Sequence, residues 1–209
     1  MGILDKLASS LGRRDEVPNQ ELANLIVSKK DKAAIQELVD NLANKSKDIQ
    51  HDCIKVLYEV GEQAPTLIAG HVTTFVDLLD SKNNRLQWGA MTALYTITSE
   101  KPAVVYAALP TIIASADKGS VITRDYAVNI LIKLCAEKQY AGDAFSLLIE
   151  QLLNSPANQL PMYAENTVPI IHDKNKALFV KTLTSRLDDI EKDSKRTWVE
   201  KVIKRVSSK

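Results

Sequence analysis

Chemistry-bearing residues are scarce in this chain of 209 residues, which has two cysteines, three histidines and 5% aromatics. Two cysteines cannot build a disulfide framework. The histidines, His51, His71 and His172, stand far apart, with no His-Glu pairs and no metal-ligand spacing, so each is taken as structural and no cofactor or metal is expected. Net charge is missing too: 27 Lys plus Arg against 26 Asp plus Glu leave +1, so no global field draws the chain to nucleic acid or an anionic membrane. No stretch approaches the ~20 consecutive apolar residues of a membrane helix. The opening "MGILDKLASSLGRR" has too short and interrupted an apolar core for a secretory signal, and Lys6 stands where a myristoylation motif wants Ser or Thr. A cytoplasmic location is the default these absences leave. Strand alternation and Gly-Asn hairpin signals are also absent, which points away from any sheet.

What is present is 45% hydrophobic and 25% charged residues, enough for one well-buried domain or one short repeat array. The pattern favours the array. "IQHDCIKVLYEVG" from Ile49, "LQWGAMTALYTIT" from Leu86, "TRDYAVNILIKLC" from Thr123 and "LPMYAENTVPIIH" from Leu160 share one apolar outline, and each starts 37 residues after the last. Within them one helix face is formed by Cys53, Val56, Leu57, Val60; Ala90, Ala93, Leu94, Ile97; Ala127, Ile130, Leu131, Leu134; and Ala164, Thr167, Val168, Ile171. Fifteen of these sixteen are apolar where composition alone gives about seven, and their i, i+3, i+4, i+7 spacing is that of a helix with one buried stripe.

A second helix repeats with the same step. Its face is Ile35, Leu38, Val39, Leu42; Val72, Phe75, Val76, Leu79; and Leu109, Ile112, Ile113, Ala116, with Ser146, Ile149, Glu150, Leu153 and Leu183, Arg186, Leu187, Ile190 as looser copies. Pro65 and Pro102, again 37 apart, suit the first turn of this helix, where a missing N–H costs nothing. The loops "DSKNN", "DKGS" and "NSPAN" close the units with turn-forming residues. Two short amphipathic helices cannot bury their faces alone, whereas stacked neighbours share a continuous core.

On these columns "IQHDCIKVLYEVG" and "TRDYAVNILIKLC" resemble the first helix of HEAT repeats, and the resemblance covers roughly residues 20 to 209. It implies membership of the HEAT/armadillo-like superfamily, an all-α right-handed α-α superhelix of about five helical hairpins. The expected layout is an N-terminal amphipathic capping helix and linker (1–18, with Ile3, Leu4, Leu7 and Leu11 on one side), a shortened first repeat (19–48), four repeats within 49–196 (49–85, 86–122, 123–159, 160–196) and a basic C-terminal capping helix (197–209), on whose face Lys201, Lys204 and Arg205 intrude. Small residues at Cys53, Ala90, Ala127 and Ala164 let paired helices approach closely.

Catalysis finds few residues to work with. Cys53 and Cys135 lie two units and eight positions apart, which at 8–10 Å per packed helix separates them by ~20 Å, far beyond the ~7 Å of a disulfide; both are expected as reduced thiols. HEAT-like DNA alkylpurine glycosylases combine Trp, Asp and Arg, as Trp88, Arg124 and Asp125 do here. Counting ~100° per residue, however, Trp88 lies about 160° from the centre of its helix's buried stripe, on the outer side, whereas those glycosylases use a basic concave groove.

The concave side is expected from the second helices, with Asp40, Asp77, Ala114, Gln151, Asp188 and Glu37, Thr74, Thr111, Leu148, Ser185 in its exposed columns. Asp40, Asp77 and Asp188 would repel phosphates, so nucleic acid is set aside. Leu148, Leu152 and Leu78 offer apolar anchors to a basic or amphipathic peptide. The candidate concave residues are therefore Asp40, Thr74, Asp77, Thr111, Leu148, Gln151 and Asp188. On the convex side His51 and Tyr58 face Trp88 and Tyr95, an aromatic stripe that either meets a partner or lies under the N-terminal helix. From Lys192 to Lys209, seven cations against two anions give +5, which suits a solvated cap that complements the helix dipole. The reading is a non-enzymatic scaffold with a protein or peptide partner, no membrane span and oligomeric state open. Its rivals are a nucleic-acid-binding or base-excising solenoid and a subunit of a lyase-type complex.

Overall fold

In the computed structural model, which describes residues 2–208, the chain is all helix and coil, with no strand among the described residues. Met1 and Lys209, the last cation of the basic tail, lie outside the described residues. The α-helices are α1 (Val17–Lys29), α2 (Lys32–Asp40), α3 (Lys47–Gln63), α4 (Val72–Asp77), α5 (Asn84–Ile97), α6 (Pro102–Ala107), α7 (Leu109–Lys118), α8 (Val121–Cys135), α9 (Ala141–Asn154), α10 (Leu160–Thr167), α11 (Asp173–Ser185) and α12 (Asp193–Ser207). Three long helices begin on a side chain that accepts from the backbone of their own first turn. Ser46 Oγ accepts from Ile49 N at 3.5 Å, Asn83 Oδ1 from Arg85 N at 3.1 Å and Ser120 Oγ from Thr123 N at 3.2 Å, each satisfying an orphan N–H. These caps are spaced 83 − 46 and 120 − 83, 37 residues each.

The stripe of the long helices is the core. All sixteen of its residues are buried except Ile171, which is half-buried, and each fully buried Leu or Ile contributes roughly 1.5–3 kcal/mol. Close approach of α3 and α5 depends on Gly89: a Cβ there would sit 2.6 Å from Ile54 Cγ1.

Several expectations are corrected. Pro65 and Pro102 do not open the second helix. They begin short elements of their own, a 3₁₀ turn Pro65–Leu67 and helix α6, and the chain turns again before α4 and α7. The 86–122 unit thus carries three helices, α5, α6 and α7, and in the unit before it two 3₁₀ turns, Pro65–Leu67 and Ala69–His71, stand between α3 and α4. In α9 the stripe is displaced: Ala144, Leu148, Ile149 and Leu152 are buried, while Ser146, Glu150 and Leu153 face solvent. The apolar run "SLLIEQLL" offers a better-filled face in the displaced register, and burial selects it. In α12 Val199, Val202 and Val206 form the buried face, leaving Lys201, Lys204 and Arg205 exposed. Arg186, an oddity in an apolar column, donates to Leu152 O at 2.7 Å, Leu153 O at 2.6 Å and Ser155 O at 3.0 Å; it satisfies the orphan carbonyls at the end of α9.

The N-terminal stretch is not an amphipathic α-helix. Among the described residues ahead of α1 the regular element is a 3₁₀ turn, Leu4–Lys6, after which Leu7 and Ala8 are buried, Leu11 is exposed and Gly12 turns the chain at φ 66°. Asn19 and Asp52 hold it: Ala8 N donates to Asn19 Oδ1 at 3.0 Å, Ser9 N to Asp52 Oδ2 at 2.8 Å, and Asn19 Nδ2 to Asp52 Oδ1 at 2.7 Å.

The helices group into two units, Met1–Ala127 and Val128–Lys209, divided within α8. In the first, α3 packs against both α1 and α5, with α4 against α5. In the second, α12 packs on α10 and α11, and α9 on the same pair. Asn166 Nδ2 donates to Asn129 Oδ1 at 3.2 Å in this second unit.

Candidate protein-binding site

In the first unit, opposite the buried stripe, the side chains of α3 and α5 build an aromatic and carboxylate patch. The rings of Tyr58 and Trp88 lie 5.8 Å apart, tilted by 48°. Tyr95 pairs with Tyr126 of α8 at 5.4 Å and 49°. Trp88, Tyr95 and Tyr126 are half-buried and keep part of their rings accessible, while Tyr58, at 7% exposure, is covered. Lys55 Nζ sits 4.9 Å from the centre of the Tyr58 ring, a cation–π contact within the molecule itself.

Lys55 is held hard. Its Nζ lies 2.7 Å from Glu16 and 2.5 Å from Glu59. Burial works to lower the pKa of this ammonium, but hydrogen bonds to Glu16, Glu59 and Tyr58 outweigh it and the pKa is raised. Glu16 also meets Arg85 at 3.1 Å. The N-terminal segment therefore docks on Asp52, Lys55 and Arg85, one turn ahead of Tyr58 and Trp88. Farther along α3 stands exposed Glu62. Partial burial of its carboxyl and the neighbouring charge of Glu59 push its pKa up, against the opposing pull of Lys55. The Glu62 charge in turn adds to burial in raising the Tyr126 pKa. The patch thus joins partly accessible aromatic rings to crowded carboxylates, an arrangement that gains by receiving a cation.

His51, placed in the aromatic stripe by the sequence, serves instead at the start of α5. Its Nε2 lies 3.0 Å from Asn83 Oδ1, within hydrogen-bond distance. Asn83 Nδ2 donates to Gln50 Oε1 at 3.0 Å. Of the four residues proposed for this side, His51, Trp88 and Tyr95 are half-buried and Tyr58 is buried. Tyr126 escaped the column arithmetic because the ring pairs are diagonal: Tyr58 meets Trp88 at a separation of 88 − 58 = 30, and Tyr95 meets Tyr126 at 126 − 95 = 31, not 37.

The residues assigned to the concave side do not share one environment. In the first unit, Thr74 and Asp77 line a common groove of about 610 Å³. Asp40 is exposed and accepts from Gln36 Nε2 at 2.7 Å, and Thr111 is half-buried. In the second unit Leu148 and Gln151 are buried, at 0% and 5% exposure, and cannot serve as contact residues; the displaced register of α9 turned them inward. Asp188 is exposed on the 3₁₀ turn Leu187–Asp189.

Reactive chemistry is muted. Both thiols are free and have pKa values pushed up to about 12, Cys53 by burial and by the charges of Asp52 and Glu37, Cys135 by burial alone. His172 caps α11, accepting from Lys174 N at 3.3 Å. Arg124 donates to Ala116 O at 3.4 Å and Asp117 O at 3.5 Å, spent on the end of α7. Among the described residues no group of three His, Cys, Asp or Glu could hold a metal ion, and no helix is long and apolar enough to cross a membrane. In the second unit Glu165 accepts from Trp198 Nε1 at 3.1 Å and Arg205 at 2.6 Å. The Arg205 hydrogen bond, opposed by slight burial, lowers the Glu165 pKa. Part of the basic tail is thereby tied down, as is Lys195, whose Nζ donates to Asn158 O at 2.9 Å.

No family model and no curated protein matches the chain. Solved structures do. An engineered protein is 19% identical, with 100% of both chains covered and a TM-score of 0.62. A designed armadillo repeat protein, in complex with the peptide (KR)4, is 14% identical over 98% of this chain and 97% of its own, with a TM-score of 0.64. Another designed armadillo repeat protein is 15% identical over 97% and 99%, at 0.59. At such identities the likeness is one of fold. The chain has an armadillo-like α-solenoid repeat fold.

Proposed function

We propose that the chain is a non-enzymatic repeat scaffold that binds a basic protein segment on the face carrying Trp88, Tyr95, Tyr126, Glu59 and Glu62. The observation that carries this reading is the pairing of partly accessible rings with two crowded carboxylates: a lysine or arginine arriving there gains cation–π contact and relieves like-charge repulsion. Lys55 over Tyr58 is an internal example of the same contact. Further support comes from the fold, since a designed armadillo repeat protein of similar architecture is complexed with (KR)4. Helices fixed by a shared core lose little conformational entropy on binding, which favours display over catalysis as the mode of action. The raised thiol pKa values and the structural duties of His51 and His172 fit a protein that performs no covalent step.

Anisotropy of a fluorescently labelled octapeptide of alternating lysine and arginine, titrated with the full chain, tests the proposal. Saturable binding is expected, weakened about tenfold or more by Trp88→Ala combined with Glu62→Lys. Absent binding, or binding that the double variant leaves unmoved at unchanged helicity, rejects it.

A further inference from the structure

The groove lined by Thr74 and Asp77 has a chemistry unlike that of the aromatic patch. Leu42 and Leu86 form its floor, each 4% exposed, and Leu78 is half-buried beside them. Around this apolar floor stand Lys45, Lys47 and Lys82, all exposed, with Asp77 the only carboxylate in the lining. None of the three lysines is held in an ion pair among the described residues. Elsewhere Lys55, Arg85, Arg186 and Arg205 each have a carboxylate partner. Lys45 and Lys82 also occupy the same place in successive loops, 82 − 45 = 37 residues apart, so the two cations mark equivalent loops of neighbouring repeats.

We infer that this groove is a second interaction surface, fitted to a short apolar protein segment flanked by aspartate or glutamate. Its volume of about 610 Å³ falls in the range of ~300–1,000 Å³ typical of formed binding pockets. Apolar side chains on the floor would supply the burial. Carboxylates on either side would meet the lysines of the groove lining. The charge of the lining, three cations against one anion, gives the surface a preference opposite to that of the Glu59–Glu62 face. The inference stands independently of the proposed basic-segment site.

Selection from a displayed library of random dodecapeptides against the full chain reads this out. Enriched peptides are expected to carry Leu, Ile or Phe between Asp or Glu. Their affinity should fall with salt and drop about five- to tenfold in Lys45→Glu with Lys82→Glu, both on exposed loops. Trp88→Ala should leave these peptides unaffected, which separates this groove from the aromatic patch. An enriched set without carboxylates, one that binds the charge-reversed variant as well as the parent, or no enriched peptide overturns the inference.

Discussion

At the scale of single residues, the environment of each polar group decides whether it is chemistry or architecture. Cys53 fills a column otherwise held by alanine, and its thiol, like that of Cys135, is pushed up to about 12. The thiolate is the reactive form, so at pH 8 iodoacetamide should modify the native protein about a hundredfold or more slower than the urea-unfolded chain, as followed by intact mass. Comparable rates would show that neither thiol is shielded. Trp88 was legible from its helical phase as lying off the buried stripe. The stripe it shares with Tyr58 was legible as well; the diagonal pairing of Tyr58 with Trp88 alone and the seat of Lys55 over Tyr58 were not, because side chains on neighbouring helices meet diagonally. Leu148 misled for a related reason: a fixed 37-residue register places it outward, but in α9 the richer apolar face wins and Leu148 is fully buried.

Elements obey the same rules with one more constraint, the distance between helix axes. The i, i+3, i+4, i+7 stripes of α3, α5 and α8 were readable because burial of a continuous face is what makes such helices stable. Gly89 carried no such signal in the sequence; only the packing shows that α3 and α5 cross where a methyl group would overlap Ile54. Gly89→Ala should therefore destabilise the protein by about 1–3 kcal/mol in urea unfolding followed by circular dichroism. Gly142→Ala, with nothing within 4 Å of its added Cβ, should be neutral or stabilise by up to ~1 kcal/mol. Equal effects at the two positions would contradict the close-approach account. Pro65 and Pro102 teach a complementary lesson. Proline marks the start of a helical element in both places, but whether that element is the main second helix or a short one before it depends on tertiary packing that composition does not encode.

For the whole molecule, near-neutral net charge conceals local surfaces of opposite preference. In the first unit the long-helix face gathers aromatic rings with Glu59 and Glu62, while Lys45 and Lys82 from two successive loops and Lys47 at the start of α3 surround an apolar floor. Only the first of these was visible in outline beforehand, since columns of aromatic residues stand out in a repeat. Lysines brought together from successive loops become a rim only once the helices are stacked. The central claim is that Trp88 marks a surface for a basic segment, and Trp198 is the chain's other tryptophan. The most direct measurement is the emission of Trp88 in a Trp198→Phe protein titrated with the lysine–arginine octapeptide. A saturable change in that emission, lost when Glu59 and Glu62 are both replaced by glutamine, is the predicted result. Emission that stays flat, or that responds equally with the glutamines in place, would contradict it.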